Sequence, residues 1–205
     1  MEELLRLQWE SLLAWLDQID VEKYSEISTD LGDWTVGDLV AHLGLSLSLA
    51  ADVGEAPTDV DALSIGQYVA AYPPAADEIA AMTQQTRAAL GPDVLGGLRQ
   101  IGERVWQAVA RYDQARVLAR RGAMRTSDYL ATRLIELVVH GDDLWRALRL
   151  GTTPVIPEAL RTVSTALADV YHERTGMVLD PPDDLAWVRD ACGRVPSDDP
   201  ALPLL

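Results

Sequence analysis

Apolar residues recur at helical spacing along most of the chain, and they rarely alternate as a half-buried strand requires. Leu4, Leu5, Leu12, Leu13, Leu16 and Ile19, with Trp9 and Trp15 between them, predict a first helix over residues 2–18. Turn formers at Ser28-Thr29-Asp30 and Gly32-Asp33 make residues 19–33 a loop. Thr35 is placed to cap a second helix running to about Ala51, with Val36, Leu39, Val40, Leu43 and Leu47 on one stripe. Asp38, three residues after the cap, sits where a carboxylate favours the free N–H groups of the first turn. Residues 52–73 read as connection, with at most a short turn of helix.

Pro74 can open a third helix that ends near Gly91-Pro92, because its missing N–H costs nothing in a first turn. Residues 97–118 read as helical, either the same rod after a kink or a helix of their own. Gly122 marks a break, Ser127 is placed to cap a strong helix over 128–149, and Gly151 to stop it. Residues 158–174 read as a last long helix ending at Gly176. The segment 180–205, rich in proline and aspartate, reads as irregular with one short helix near 184–192. Long helices with short-to-medium links predict an all-α four-helix bundle over residues 1–150, followed by a helical extension and tail over 151–205.

Composition sharpens this picture. Apolar residues make up 48% of 205 residues, enough for a packed core, and Ala and Leu dominate while Phe is absent. The formal net charge of −15 disfavours phosphate backbones and anionic lipid, so neither nucleic acid nor a membrane surface is an expected partner. One cysteine, Cys192, allows no intramolecular disulfide and fits a reducing compartment. The N-terminal stretch lacks the basic region of a signal peptide, and no apolar run is long enough to span a bilayer. A cytoplasmic location is the expectation.

The candidate chemistry lies in the histidines, of which there are three: His42, His140 and His172. Glu136 and His140 are four apart on the predicted helix 128–149, about 40° apart around its axis and one turn above each other. A carboxylate and an imidazole so placed can point at one ion. Tyr129, Thr132, Arg133, Asp143 and Ala147 lie on the same side, so a polar stripe runs beside the apolar one. Asp143, three residues after His140, can accept the second ring N–H and fix the tautomer. His42 lies at the edge of its helix's core face, beside Asp38 and Ser46, where it can supply a third ligand. Two histidines and a glutamate make a set typical of catalytic zinc, although imidazole also suits nickel, copper and iron.

Spacing alone carries this only part way, because a Glu–His pair four apart is commonly a solvated pair and a lone histidine commonly a core residue. His172 reads as exposed. Trp9, Trp15, Trp34, Trp106 and Trp145 read as core. Arg133 and Arg146 read as surface or ion-paired residues, with Arg133 also a candidate thiol or substrate contact. Cys192, with no histidine near it in the chain, does not read as a catalytic thiol.

The run Asp33-Trp34-Thr35-Val36-Gly37-Asp38-Leu39-Val40-Ala41-His42-Leu43 resembles one signature of the mycothiol-dependent maleylpyruvate isomerase N-terminal domain, a branch of the DinB/YfiT-like superfamily. The run Arg133-Leu134-Ile135-Glu136-Leu137-Val138-Val139-His140-Gly141-Asp142-Asp143-Leu144 resembles its second signature. The resemblance covers roughly residues 1–150. It implies a zinc site on His42, Glu136 and His140 with Asp143 in support, and mycothiol as a possible co-substrate. Trp187 and Gly193-Arg194 echo a pattern from the isomerases' separate C-terminal domain, which is longer than the residues left here.

The reading that follows is a metal-dependent thiol transferase or isomerase, acting on a small electrophile and possible as a homodimer. Two rivals stay open: thiol-independent Lewis-acid chemistry such as hydrolysis or biosynthetic cyclisation, and a non-catalytic metal-binding bundle. The non-catalytic case would need a fourth protein ligand, for which Asp143 and Tyr129 are the nearest candidates.

Overall fold

The first apolar stripe folds as α1 (Glu2–Leu16), burying Leu5, Trp9, Leu12, Trp15 and Leu16. The computed structural model describes residues 1–57, 59–112 and 115–205. A single turn, α2 (Val21–Tyr24), interrupts the segment read as loop. Thr35 then opens α3 (Val36–Ser48) with a reciprocal cap. Its hydroxyl accepts from the Asp38 N–H at 3.3 Å, and the Asp38 carboxylate accepts from the Thr35 N–H at 3.0 Å. Two N–H donors that a helix start would leave bare are thereby satisfied.

Asp38 also receives Gln84 and Arg87, each at 2.8 Å. Burial by itself would raise the Asp38 carboxyl. The bonds from Thr35, Gln84 and Arg87 outweigh it and bring the pKa from 3.8 down to about 2. A carboxylate depressed by folding adds stability above its unfolded pKa and loses it as pH falls through the folded value. Acid unfolding followed by circular dichroism is therefore expected to draw on Asp38 between about pH 4 and pH 2. Asp38→Asn should flatten the stability curve in that interval, and an unchanged slope would refute the assignment.

After α3 come a strand fragment β1 (Gly54–Glu55), the short α4 (Ile65–Val69), α5 (Ala76–Leu90) and α6 (Val94–Val109). Gly91, with φ +61°, lets the chain leave α5, so residues 94–109 are a helix of their own and not a kinked continuation. The helical reading of 97–118 is corrected at its far end. Residues 116–125 are a hairpin of β2 (Arg116–Ala119) and β3 (Gly122–Arg125), with β1 paired on β2. Val117 and Ala119 face inward on alternate positions while Leu118 is exposed, the period-two pattern of a half-buried strand. Leu and Ala favour a helix locally, but cross-strand pairing overrides that preference.

The principal helix, α7 (Thr126–Leu148), follows the hairpin directly. Ser127 does not cap it. The helix begins one residue earlier with no side-chain cap, and the Ser127 hydroxyl bonds Asp128 instead. Arg149, with φ +52°, ends it ahead of Gly151. Then come α8 (Pro157–Thr175), stopped by Gly176 in the left-handed region, and α9 (Asp184–Ala191), the short helix expected in the tail.

The bundle is made by α1, α3, α6 and α7: α1 and α3 each pack on both α6 and α7. Gly44 on α3 allows the close approach of α6, since a Cβ there would lie 2.8 Å from Leu98. α5 lies outside, against α3. α8 packs on α1 and α7, and α9 on α8. One apolar cluster runs from Leu5 on α1 through Leu39, Leu43 and Leu134 to Leu167, Trp187 and Leu204. Residues 151–205 thus share the bundle's core. Among the described residues no helix is long and apolar enough to cross a membrane.

Candidate metal centre

α3 and α7 run side by side, and their facing surfaces bring together residues far apart in sequence. His42 Nε2 lies 3.0 Å from a Glu136 carboxylate oxygen, and His140 Nε2 lies 3.5 Å from the same oxygen. The His42 and His140 rings meet edge to face, with centroids 4.9 Å apart. One ligand atom from each of the three residues falls within 4.8 Å of the others, with His42 and Glu136 buried and His140 partly so. Around a tetrahedral ion about 2.1 Å from each ligand, neighbouring donors sit roughly 3.4 Å apart. Two imidazoles and one carboxylate at these separations fit one divalent cation.

Both rings are oriented from behind. His42 Nδ1 lies 3.3 Å from the Thr83 hydroxyl on α5, and His140 Nδ1 lies 3.0 Å from Asp143. With each Nδ1 so engaged, assignment of the proton there leaves the lone pair of each Nε2 free for an ion. Ser46, one turn after His42, donates to Glu136 at 3.4 Å and touches His42 Nε2 at 3.2 Å. Asp143 accepts from Arg194 of the tail at 2.8 Å, and Arg146 lies 3.8 Å from it. It is therefore committed as a support, and it does not join the cluster. Tyr129 donates to the Leu49 carbonyl at 2.6 Å, away from the three ligands. Among the described residues the donor group has three members.

The electrostatics divide the two imidazoles. Burial lowers the His42 pKa despite Glu136 beside it. Burial also opposes charge on His140, but the Asp143 and Glu136 carboxylates outweigh it and lift His140 to about 9. Burial would raise Glu136, but its bonds from His140 and His42 hold it well below the usual carboxylate range. Without metal, His140 thus carries a proton near neutral pH, and an incoming cation has to displace it. Zinc binding near pH 7 is expected to release about one proton per ion. Calorimetry in buffers of different ionisation enthalpy reads this directly. Affinity should climb with pH and level off above about pH 9, and a flat profile would contradict the charged state of His140. Folding raises this pKa, so its stabilisation of the metal-free protein is full below the unfolded value and is lost as pH rises through about 9.

A cavity of about 340 Å³ opens beside the three donors. Its walls include Trp34, Tyr72, Ile79, Met82, Arg133 and Val139, with Arg194 and Leu205 contributed by the tail. Trp34, read from sequence as core, is half-buried with its ring centroid 5.0 Å from that of His42. Arg133 is 2% exposed and makes no ion pair among the described residues, so its reading as a surface or ion-paired side chain is corrected. Arg146 does pair, with Asp30 at 3.5 Å, and His172 is exposed. Cys192 is buried, and burial pushes its thiol up to about 12, as suits an inert residue.

Sequence reasoning missed Thr83 and Tyr72, and it named the tail's Arg194 only within the Gly193-Arg194 echo of the isomerases' C-terminal domain, without a contact to Asp143. For Tyr72 a signal existed. Ser64-Ile65-Gly66-Gln67 spells a capping box, and both of its bonds form at 3.0 Å. It marks α4, which leads to Tyr72. Thr83 and Arg194 act through contacts that no local pattern encodes.

The family model described as the mycothiol maleylpyruvate isomerase N-terminal domain matches residues 5–145, more than half of the chain. No curated protein and no solved structure gives a significant match.

Proposed function

The chain belongs to the mycothiol maleylpyruvate isomerase N-terminal domain family, of the DinB/YfiT-like superfamily, and on that footing we propose that it is an enzyme of small-thiol chemistry, using one zinc ion held by His42, Glu136 and His140. The observation that carries the reading is the convergence of His42 Nε2 and His140 Nε2 on one Glu136 oxygen, at 3.0 and 3.5 Å, beside a cavity. When bound, the metal supplies Lewis acidity that lets a thiol ionise near neutral pH.

The protein's own groups do the rest. Thr83 and Asp143 hold the rings so that each presents Nε2. Glu136 is a ligand and not the general base, because its carboxylate oxygen is the point on which both Nε2 atoms converge and would be bound to the same metal. The apolar walls at Trp34, Ile79, Met82 and Val139 limit water around the reacting groups. His42, Glu136 and His140 would hold the metal at the wall of the cavity, which has room for mycothiol or a similar thiol and a small electrophile. A transferase would form a C–S bond as the thiol gives up its proton and the electrophile either expels its leaving group, which departs with that proton, or takes the proton on the neighbouring carbon in an addition. An isomerase adds the thiol to a conjugated acid and expels it again, with no net change in composition. The cytoplasm, where Cys192 stays reduced, is the compartment that suits such a thiol.

The test is a titration of mycothiol by its thiolate absorbance in the presence of zinc-loaded protein. The thiol pKa is expected to fall towards neutrality with wild type and to stay unchanged with His42→Ala. Turnover of any electrophile at the same rate with and without thiol would overturn the reading in favour of thiol-independent chemistry.

A further inference from the structure

Arg133 is 2% exposed, lines the cavity and has no carboxylate within ion-pair distance among the described residues. That is unusual for a buried cation, and the more so in a chain with 32 acidic residues against 17 basic ones. Its donors go to neutral oxygens: Nε to the Thr132 hydroxyl at 3.2 Å, one Nη to the Ser46 carbonyl at 3.3 Å, the other to the Tyr72 hydroxyl at 2.8 Å. The Tyr129 ring lies 5.4 Å away and offers a cation–π contact. A guanidinium carries five N–H donors. These bonds use three of them, so two are left without a protein partner among the described residues. Glu136, one turn along α7, stabilises the Arg133 charge from beyond hydrogen-bond reach, while its oxygens are taken by His42, Ser46 and His140, so it fills neither remaining N–H. Further round the cavity Arg121 stacks over Tyr72 at 5.1 Å and likewise lacks an ion pair among the described residues. Arg120 is neutralised by Glu78, and Arg194 by Asp143.

From this arrangement we propose that Arg133, steadied by Tyr72 and Ser46, is the receptor for a carboxylate on the small-molecule ligand, about one helical turn from the metal donors. Carboxylate oxygens complement a guanidinium's remaining N–H groups in a charge-assisted, two-pronged contact. The apolar walls at Leu45, Leu49, Ile79 and Met82 would then take the ligand's hydrocarbon part. The reactants would thus be divided: Arg133 would take the acid-bearing electrophile, and the thiol would lie at the metal that His42, Glu136 and His140 would hold. This inference rests on the reading of the cavity as the reaction site.

Benzoate and benzamide, matched in shape and different in charge, are suitable probes for calorimetry on the zinc-loaded protein. Wild type is expected to prefer benzoate by at least about tenfold. Arg133→Met should erase the preference while zinc stays at the wild-type level. His42→Ala, expected to lack zinc, should keep the preference. Equal preference in wild type and Arg133→Met overturns the proposal. So does loss of preference in His42→Ala with retention in Arg133→Met, since the metal would then be the receptor and only the metal reading would survive. An Arg133-dependent preference in a protein that never takes up zinc would sink the metal reading and leave the subsite standing. If Arg133→Met does not fold by circular dichroism, Arg133→Lys decides. A lysine keeps the charge but loses the fork, so the preference should drop by at least about threefold, and an unchanged preference would overturn the proposal.

Discussion

His42→Ala is expected to abolish stoichiometric zinc, dropping affinity by more than about 100-fold, because loss of a residue that merely supports a ligand already costs about 10- to 100-fold. The reason is geometric. His42 is the donor that α3 contributes, and Glu136 and His140 both come from α7. Without it the two remaining donors are four apart on one helix and cannot surround an ion. The fold should survive, because the imidazole's partners are Thr83, Ser46 and Glu136 rather than the apolar cluster. Elemental analysis beside a circular dichroism melt checks both halves. A variant that melts like wild type and still carries one zinc per chain would refute the assignment of His42.

Asp143→Asn is expected to have the second-largest effect, and in two observables at once. Asp143 is 5% exposed and holds His140 Nδ1 at 3.0 Å while taking Arg194 at 2.8 Å. Burial would raise its carboxyl, but His140 and Arg194 bring it down to about 2, so the ionised form dominates at any ordinary pH. An amide still offers an oxygen but no charge. It leaves Arg194 partly buried without a counter-ion, which costs about 3–5 kcal/mol when a buried pair is broken, and it weakens His140 as a ligand by about 10- to 100-fold. Asp142→Asn is the control. Asp142 pairs with Arg189 at 2.7 Å in the same way but touches no imidazole. Urea unfolding should register both variants, and zinc affinity only the Asp143 one. Equal zinc affinity in the two would show that Asp143 does not act through His140.

The parts of this site that were legible in the sequence are those that a helix encodes by itself. Glu136 and His140 share a face because of helical periodicity, Asp143 follows on the same side, and Thr35 with Asp38 announces the start of α3 by a local bond pattern. That His42 meets them across 94 residues was readable because so few histidines compete and because the surrounding runs match a family signature. The hairpin over 116–125 was hidden because Val117, Leu118 and Ala119 are ordinary in a helix; their strand character arises from pairing with β1 and β3, a long-range choice. Losing the hairpin from view also lost Arg120 and Arg121 from the cavity wall. The tail reads as irregular by composition and largely is so, yet Arg189 and Arg194 are fastened to adjacent aspartates of α7. No periodicity announces a contact of that kind. Ser127 shows the opposite error, a plausible cap residue passed over because the helix starts directly out of a strand.

The most direct test of the metal centre is anomalous scattering at the zinc edge from crystals of the protein grown with zinc. A single peak about 2.0–2.2 Å from His42 Nε2, His140 Nε2 and a Glu136 oxygen, with its remaining side open to the cavity, is the expected result. A peak elsewhere on the molecule, or those three side chains closed on one another with no peak between them, would contradict it.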